Sequence, residues 1–534
     1  MQDLPNLRLH ALDAVIIVAY LLALLGVGFY HARRQSDLKD FFLAGGEIRW
    51  LAMGLSLMAA LNSGMDYLMQ PAAMIKFGLF TIVGSASWLL LYPYVFHVVL
   101  PLYRRLGAIS AYEYLERRFD ARVRLLAAGI FVRWRFGWMA TALYVPALAL
   151  GVASGGRIPV AGLVIVIGVV VTVYTMLGGI RAVIWNDVFQ FCLMFAGLAT
   201  TVAVCIAHTE GGFSGILAQI PRVGDPAQSQ PPPGVEGPFA FLYAPASLVG
   251  LLVSVVVARL GTYTSDQVMV QRFQTARTIA DARRGFLVNA VADTIWMLAL
   301  SFVGLALFAY FQAQLGRLPA WADAQADQLF PYFIAHVFPV GLVGLVIAAI
   351  LAASISSIDS ALNSLTSVVM VDFVGRFRRG QPATDAGRVR LSRWLTLGLG
   401  AVGIALALNV ASLGSLLEIS NKIINSFAGP ILGIYLLGMF ARRAHAAGVL
   451  IGGVAGTLTA IYIAFQPQVH GVLNRVAGLA LDAQHGISFL WPSTLGLAVT
   501  LAAGWLASLG LRHPAPGAGE NWLWRNVTRR ALAE

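Results

Sequence analysis

The amino-acid sequence predicts an all-α polytopic membrane protein with about 13 transmembrane helices, built on a 5+5 inverted-repeat core that contains two broken helices. Its 534 residues are 58% hydrophobic and 12% charged, with a mean hydropathy of +0.75, whereas soluble domains average about 25% charged residues. Apolar segments near the roughly 20 residues that a membrane helix needs recur along the whole chain. They lie near residues 11–30, 48–77, 79–103, 121–153, 159–178, 183–207, 240–272, 285–313, 338–373, 391–412, 415–440, 446–466 and 488–511.

Basic residues lie mostly on one side of these segments. If the loops alternate and the N-terminus is outside, 27 of the 37 arginines and lysines fall at the inner side. This asymmetry is the positive-inside pattern of membrane proteins. It predicts an external N-terminus and a cytoplasmic C-terminus in the inner membrane, and it accounts for the net charge of +12 without a nucleic-acid partner.

Two apolar segments are interrupted in the middle by polar and small residues. The first contains "AALNSG" (59–64) and the second "RLGTYTSD" (259–266), five segments later. An odd offset makes the two helices run in opposite directions, which is typical of inverted repeats with the binding sites at the breaks. The predicted division of the single domain 1–534 is a peripheral helix (11–30), a first repeat (48–207), an inverted second repeat (240–440), two peripheral helices (446–511) and a cytoplasmic tail (512–534).

The ninth segment carries an unusual run of oxygen-bearing residues, "AASISSIDSALNS" (352–364). At 3.6 residues per turn, Ser356, Ser360 and Ser364 share one stripe, and Asp359 lies beside it. Hydroxyls can simply join helices, at about 0.6 kcal/mol per contact. A carboxylate inside a bilayer is expensive unless a cation or donor meets it. The stripe therefore favours a hard cation such as Na⁺, whereas no histidine offers a proton relay there.

Five motifs of the chain resemble those of the sodium:solute symporter family, which includes sodium/glucose, proline, sialic acid and monocarboxylate cotransporters. The similar motifs are "PLYRRLGAISAYEYLERRF" (101–119), "GGIRAVIWNDVFQ" (178–190), "SDQVMVQRFQTARTIADARRG" (265–285), "SISSIDSALNSLTSVVMVDF" (354–373) and "NKIINSFAGPILGIYLLGMFARRAHAAGVLIG" (421–452). They occur in the family's order, and the resemblance extends from about residue 11 to 466. It implies a leucine-transporter-type fold and Na⁺-coupled symport by alternating access.

The resemblance also implies a main Na⁺ site and, as in some relatives only, a second one. The main site would use the carbonyls of Ala59, Asn62 and Ala353 and the hydroxyls of Ser356 and Ser357. A second site, present in some relatives, would use Asp187, Asp359 and Ser360 together with Ser356. The family usually has a neutral residue where Asp359 stands, so this carboxylate either strengthens the second site or pairs with a nearby basic residue.

The same motifs imply the substrate-binding positions Asp66, Ser85, Trp88, Trp138, Arg259, Thr262, Asp293 and Lys422. Arg135 is added because it shares a helix face with Trp138. Arg135 is the predicted partner of a substrate carboxylate, because a guanidinium forks onto carboxylates with two hydrogen bonds. The alternative is that Arg135 neutralises Asp66 or Asp359 and never touches substrate.

The expected activity is therefore transport and not catalysis: Na⁺-coupled import of a carboxylate-bearing or zwitterionic solute such as a monocarboxylate, an amino acid or a sialic acid. A Na⁺-coupled sugar or polyol symporter is the alternative, and a proton-coupled transporter, a channel or a non-transporting sensor is less favoured. The expected partners are the solute, Na⁺ and the lipid bilayer, and a monomer is compatible with the pattern.

Overall fold

The computed structural model describes residues 10–32, 37–315, 318, 328–377, 384–410, 416–482, 485–511 and 518–531. Within these ranges the chain is helical, apart from loops and one isolated bridge between Ile48 and Ala276. The helices are α1 (Ala11–Ala32), α2 (Leu38–Leu43), α3 (Trp50–Leu61), α4 (Gly64–Phe77), α5 (Trp88–Tyr94), α6 (Leu100–Leu106), α7 (Glu113–Arg118), α8 (Ala121–Ala153), α9 (Val160–His208), α10 (Gly212–Leu217), α11 (Leu248–Ser265), α12 (Gln267–Thr275), α13 (Ile279–Leu315), α14 (Leu329–Val337), α15 (Leu342–Val368), α16 (Gly375–Phe377), α17 (Asp385–Ala407), α18 (Leu416–Phe440), α19 (Ala446–Ala464), α20 (Gln466–Ala477), α21 (Pro492–Gly510) and α22 (Trp524–Ala531). Short 3-10 turns lie at Ala44–Gly46, Gly78–Ser87, Ile220–Arg222, Pro226–Ser229, Ala240–Tyr243 and Ala518–Trp522, and π-helical turns at Val95–Val99 and Val369–Val374.

Ten helical segments of the described chain are long and apolar enough to cross a membrane. Two of the ten, Gly64–Leu106 and Val160–His208, each cover parts of two predicted spans. The helix α9 is interrupted at Gly179 (φ 57°, ψ −166°), and a Cβ added to Gly178 would lie 2.2 Å from that of Ala182. In a continuous helix, residues four apart have Cβ atoms about 5–6 Å from each other. The all-helical membrane architecture is confirmed, and the count of thirteen spans stays a prediction.

Both predicted helix breaks are present. Between α3 and α4 the backbone is extended at Asn62 (φ −96°, ψ 134°) and at Ser63, whose hydroxyl caps α4 by accepting from the Met65 N–H at 3.1 Å. Between α11 and α12 only Asp266 leaves helical geometry (φ −79°, ψ 119°), and its side chain accepts from the Val268 N–H at 2.9 Å. Each break frees carbonyls and N–H groups from the helical ladder.

The serine-rich helix α15 forms the centre of the fold. Every residue from Val346 to Val368 is buried, and the helix packs against α8, α9, α3 and α4. Gly64 permits the closest approach, because a Cβ there would lie 2.1 Å from the Ser354 Oγ and 2.7 Å from the Ile350 carbonyl oxygen. The α3–α4 break is therefore pressed directly against α15.

Gly64→Ala is expected to lower the free energy of unfolding by about 1–3 kcal/mol, because the added methyl group overpacks this contact. Thermal unfolding of the purified protein measures the effect. Gly129→Ala is the matched control, since a Cβ at Gly129 has no atom within 4 Å outside its own helix. Equal unfolding temperatures for the two variants would contradict the close approach.

The outer helices are attached through specific polar contacts. Asp13 in α1 accepts hydrogen bonds of 2.8 Å from the N–H groups of Gly341 and Gly344, at the start of α15. The helices α19 and α21 pack against each other and on α18. We call the side on which residues 209–247 lie the loop face, and the side of α7 and α22 the tail face.

The described part of the tail packs on protein. Val527 is fully buried, Arg105 donates to the carbonyls of Asn526 and Val527, and the guanidinium of Arg117 lies 5.0 Å from the Trp522 ring. Residues 518–531 therefore lie against the helix ends at the tail face and not free beside them. Residues 512–517 and 532–534 of the predicted tail lie outside the described residues.

Candidate functional site

Five oxygen atoms form two neighbouring sets of contacts where the α3–α4 break faces the middle of α15. The Ser356 Oγ lies 2.8 Å from the carbonyl oxygen of Ala59 and 2.9 Å from that of Ala353. The Ser357 Oγ lies 3.3 Å from the carbonyl oxygen of Asn62. All five residues are buried. The structure thus brings together the complete set predicted for the main Na⁺ site.

The local chemistry of this cluster follows from the break. Extended backbone at Asn62 and Ser63 displaces the N–H groups that would otherwise donate to the last carbonyls of α3. Those carbonyls turn toward the two hydroxyls of α15. Carbonyls at an unwound segment, together with hydroxyls, are oxygen ligands for an alkali cation, so the cluster can hold Na⁺ as a transported ion.

A second polar cluster lies one turn further along α15. The Asp187 Oδ2 lies 2.8 Å from the Arg272 Nη2 and accepts from the Ser56 hydroxyl at 2.5 Å. The same Arg272 nitrogen lies 2.5 Å from the Ser360 Oγ, and both charged side chains are fully buried. The structure therefore places Asp187 and Ser360 together, with the guanidinium of Arg272 between them.

Asp359 belongs to this cluster through hydroxyl groups. Its Oδ2 accepts from the Tyr174 hydroxyl at 2.5 Å and its Oδ1 from the Ser360 hydroxyl at 3.2 Å. The ion pair of Arg272 is with Asp187, and the Asp187 Oδ1 is buried without a hydrogen-bond partner among the described residues. If both carboxyls are ionised, two carboxylates and one guanidinium leave one negative charge in a buried site, and either a cation or a proton on Asp359 would remove it.

Arg272→Gln is expected to lower the free energy of unfolding by about 3–5 kcal/mol, because it leaves the Asp187 carboxylate buried without its cation. Thermal unfolding in detergent measures the loss. The double variant Asp187→Asn/Arg272→Gln should recover most of it. Arg181→Gln is the control, since Arg181 pairs with Asp40 at 3.3 Å in a partly exposed site where such a pair contributes about 0–1 kcal/mol. An unchanged unfolding temperature for Arg272→Gln would contradict the pair.

A cavity of about 300 Å³ lies beside the first break, within the size range of small-molecule sites. It is bounded by α4, the 3-10 segment Gly78–Ser87, α11, α13 and residues 489–490. Its polar lining residues are Asp66, Gln70, Thr81, Ser85, Ser254 and Arg259. Three of the predicted substrate residues, Asp66, Ser85 and Arg259, thus face one cavity. Asp66 also caps α4, since its Oδ2 accepts from the Ser63 N–H at 2.6 Å.

Arg259 is held in the cavity wall by a network centred on Asp293. The Arg259 Nη2 lies 2.7 Å from the Asp293 Oδ2, and its guanidinium lies 4.9 Å from the Trp88 ring. The Trp88 Nε1 donates to the same Oδ2 at 2.9 Å, and the Asn62 Nδ2 donates to the Asp293 Oδ1 at 3.1 Å. The Arg259 Nη1 has no hydrogen-bond partner in the part of the chain that the structure describes. One edge of the guanidinium is therefore fixed by Asp293, whereas the Nη1 at the other edge is buried and donates no hydrogen bond to the described residues.

Arg135, the predicted partner of a substrate carboxylate, lies outside this cavity. It is buried against the second break, where its guanidinium pairs with Asp266 and lies 5.2 Å and 5.6 Å from the Trp134 and Trp138 rings. It is not among the residues that line the cavity. Its ion-pair partner is Asp266, and neither Asp66 nor Asp359. The backbone is extended at Asp266, where α11 ends, and this places the Asp266 carboxylate beside the guanidinium.

The remaining predicted substrate residues also lie off this cavity. Trp138 lies beside Arg135, and the Thr262 hydroxyl donates to the Ala258 carbonyl of its own helix at 3.0 Å. Lys422 lines a separate cavity at the loop face. Trp88 and Asp293 contact Arg259 from behind the cavity wall.

Sequence reasoning missed four residues of these clusters: Ser56, Tyr174, Asp266 and Arg272. A usable signal existed for two of them. Asp266 ends the polar stretch of the second break, and Arg272 follows it within the same predicted span, so an acid and a base stand six residues apart inside the membrane. Ser56 lies in an apolar stretch of α3 and has no such signal.

Comparison with known proteins is consistent with this geometry. The sodium:solute symporter family model matches residues 41–456. The sodium/sialic acid symporter NanT of Aliivibrio fischeri is 32% identical over 459 residues, covering 85% of this chain and 87% of that protein. The sodium-dependent multivitamin transporter of Oryctolagus cuniculus is 32% identical over 506 residues, covering 93% and 76%.

A solved structure of a Na⁺-coupled sialic acid symporter, in a substrate-bound outward-open state described as having a novel Na⁺ site, superposes with a TM-score of 0.80. It is 26% identical and covers 95% of this chain and 99% of the other. The inverted-repeat transporter fold, Na⁺ as the coupling ion and a multi-pass membrane location are thereby confirmed at the family level. The protein belongs to the sodium:solute symporter family.

Proposed function

We propose that this symporter imports a small solute bearing a carboxylate, of the sialic acid or monocarboxylate kind, and that Arg259 binds the carboxylate. The observation that carries the proposal is the guanidinium of Arg259 on the cavity wall. Its Nη2 pairs with Asp293, whereas its Nη1 has no hydrogen-bond partner among the described residues. Arginine recognises carboxylates through two parallel hydrogen bonds, and Asp293 already orients the group. The sialic acid symporters and the human sodium-coupled monocarboxylate transporter 1, 27% identical over 548 residues, are named for acidic cargo, which supports the same class.

Na⁺ would bind at the oxygen cluster of Ala59, Asn62, Ala353, Ser356 and Ser357. This cluster joins the α3–α4 break to α15, so ion binding would hold the two elements together. Asn62 also links the ion to the cargo, because its carbonyl faces Ser357 while its side-chain amide donates to Asp293. Sodium binding would therefore fix the carboxylate that orients Arg259, which couples the two ligands.

A second Na⁺ would bind near Asp187, Asp359 and Ser360. The support is the charge of the buried cluster, where two acids face one arginine, and the Asp187 Oδ1, which has no hydrogen-bond partner among the described residues. A cation there would neutralise the negative charge that Arg272 leaves uncompensated. Two Na⁺ ions per solute is the stoichiometry that this proposal implies.

The loop face would be the exterior and the tail face the cytoplasm of a cell inner membrane. The basic residues favour this orientation. The cavity extends to Phe77 and Phe489 near the loop face. Toward the tail face, the second break is covered by two buried tyrosines: Tyr103 donates to the Thr264 carbonyl and Tyr112 to the Ser265 carbonyl. Both oxygen clusters and the cavity come from one chain, so a monomer would suffice.

A neutral sugar or polyol is the second candidate cargo. Gln70, Ser85 and Ser254 give the cavity uncharged hydrogen-bonding groups of the kind that hydroxyl-rich solutes use. In this case Arg259 would serve only to neutralise Asp293.

Uptake by proteoliposomes tests the proposal and separates the candidates. Purified protein is supplied with labelled sialic acid, lactate or glucose under an inward Na⁺ gradient, and each uptake is repeated with a pH gradient alone. We expect accumulation of at least one of the two acids, and only with Na⁺. Uptake of glucose with neither acid would overturn the carboxylate assignment, and equal uptake with the pH gradient alone would overturn Na⁺ coupling.

A further inference from the structure

We propose that a second cavity at the loop face is an outer binding site for the carboxylate of the cargo, formed by Lys76 and Lys422 and lying in series with the central cavity. This cavity has a volume of about 310 Å³. Both lysines line it, and none of the described residues that line it is acidic. A concave site with two ammonium groups and no lining acid attracts anions. The inference rests on the proposed function for the acidic nature of the cargo.

The placement of lysine in this chain is selective. The sequence contains only three lysines, Lys39, Lys76 and Lys422, among 37 basic residues. Two of the three meet in this cavity although they are far apart in sequence, while Lys39 is exposed in α2 at the other end of the molecule. A lysine ammonium is a mobile point charge, whereas the arginine guanidinium is a rigid fork. The mobile ammonium groups of the lysines therefore suit transient binding of an anion, which then passes inward to the guanidinium of Arg259.

The two cavities meet at a pair of aromatic rings. Phe77 and Phe489 line both cavities, and their ring centroids are 6.5 Å apart with an interplanar angle of 44°. Lys76 precedes Phe77, and its Nζ lies 5.8 Å from that ring. An anion held by the lysines is therefore on the opposite side of this aromatic pair from Arg259, one step outside the central site.

The outer cavity also involves elements beyond the two repeats. Gln228 of the loop, Pro467 at the start of α20 and Gly486 complete its wall together with α4 and α18. Asp225 in the same loop lies beside Lys76, since its N–H donates to the Lys76 carbonyl at 3.0 Å, but it does not line the cavity. Its carboxylate accepts from the Ala227 N–H at 3.0 Å and the Gln228 amide at 3.3 Å. The loop and the outer helices thus enclose a positively charged entrance.

The test compares the double variant Lys76→Gln/Lys422→Gln with Lys76→Arg/Lys422→Arg and with the control Lys39→Gln. In proteoliposomes the double glutamine variant is expected to raise the KM for the carboxylate solute about tenfold, with kcat and the Na⁺ concentration for half-maximal uptake unchanged. Its uptake at low solute concentration should also lose most of its dependence on ionic strength. The double arginine variant should keep both properties, and Lys39→Gln should resemble wild type.

Equilibrium binding of labelled sialic acid or lactate, whichever the wild type transports, gives an independent measurement. At saturating Na⁺ we expect two binding sites per wild-type molecule and one in the double glutamine variant. Unchanged KM, ionic-strength dependence and stoichiometry in that variant would overturn the outer site. Inorganic phosphate that competes for the outer site without entering the central one would support general anion capture, and no competition by phosphate or chloride would support capture of the cargo alone.

The two proposals fail in different ways. If the wild-type protein transports neither acid, the proposed function itself fails. If it transports one, and Arg259→Gln removes that transport while the double glutamine variant behaves as wild type, only the outer site fails. Thermal unfolding of each variant verifies that the substitutions leave the fold intact.

Discussion

Arg259→Gln is expected to raise the KM for the carboxylate solute by about 30-fold or more, because removing one partner of a buried charge pair costs about 2–5 kcal/mol of binding. The neutral amide of the same solute should be affected far less. Arg259 is the only arginine in the cavity lining that the structure describes, and its Nη1 has no hydrogen-bond partner among the described residues. Competition of the acid and its amide against labelled solute measures the difference.

A control is needed because Arg259 also neutralises Asp293. The double variant Arg259→Gln/Asp293→Asn removes the stranded carboxylate and should restore the unfolding temperature. Recognition of the carboxylate should stay lost in the double variant. If the double variant distinguishes acid from amide as strongly as wild type, Arg259 orients the wall and does not bind the cargo.

Ser357→Ala is expected to raise the Na⁺ concentration for half-maximal uptake about tenfold or more, since one polar contact to a charged group contributes about 1.5–3 kcal/mol. The Ser357 Oγ lies 3.3 Å from the Asn62 carbonyl oxygen and 3.5 Å from that of Ala60. The Na⁺ dependence of uptake at saturating solute measures the effect, and the unfolding temperature without Na⁺ should change little.

Ser364→Ala is the matched control on the same helix. Its hydroxyl donates to the Ala361 carbonyl of α15 at 2.9 Å, two turns from the cluster. Na⁺ dependence should be that of wild type. Equal shifts in the two variants would mean that hydroxyls on α15 act through helix packing, and the main Na⁺ site would lose its support.

The oxygen cluster can be selected from the family's motifs and the periodicity of α15. Ala59 and Asn62 lie at a visible break, and Ser356 and Ser357 lie in a hydroxyl-rich stretch of an apolar helix. In a bilayer, irregular backbone is tolerated only where it faces protein or a cavity, so such residues mark a candidate site in the sequence itself. The all-helical fold and both breaks follow from the same constraint.

Partner choice among buried charges depends on tertiary structure. The helix face that Arg135 shares with Trp138 predicts a substrate contact, whereas in the structure Arg135 pairs with Asp266 and Arg259 lies in the cavity wall with Asp293. Asp187 meets Arg272, whereas Asp359 accepts from Tyr174. These pairs join different helices, and their formation depends on helix rotation and on the residue at which a helix breaks.

The sequence by itself thus determined which segments are apolar enough for a membrane and where two of them break, and its resemblance to the family named the oxygens at the first break. Burial in lipid restricts backbone and polar residues locally, and a local restriction is readable in sequence. Only the tertiary structure decided which arginine faces the cavity, and that two distant lysines share one entrance. An ion pair forms where two side chains on separate helices come within a few ångströms, and that distance is set by packing.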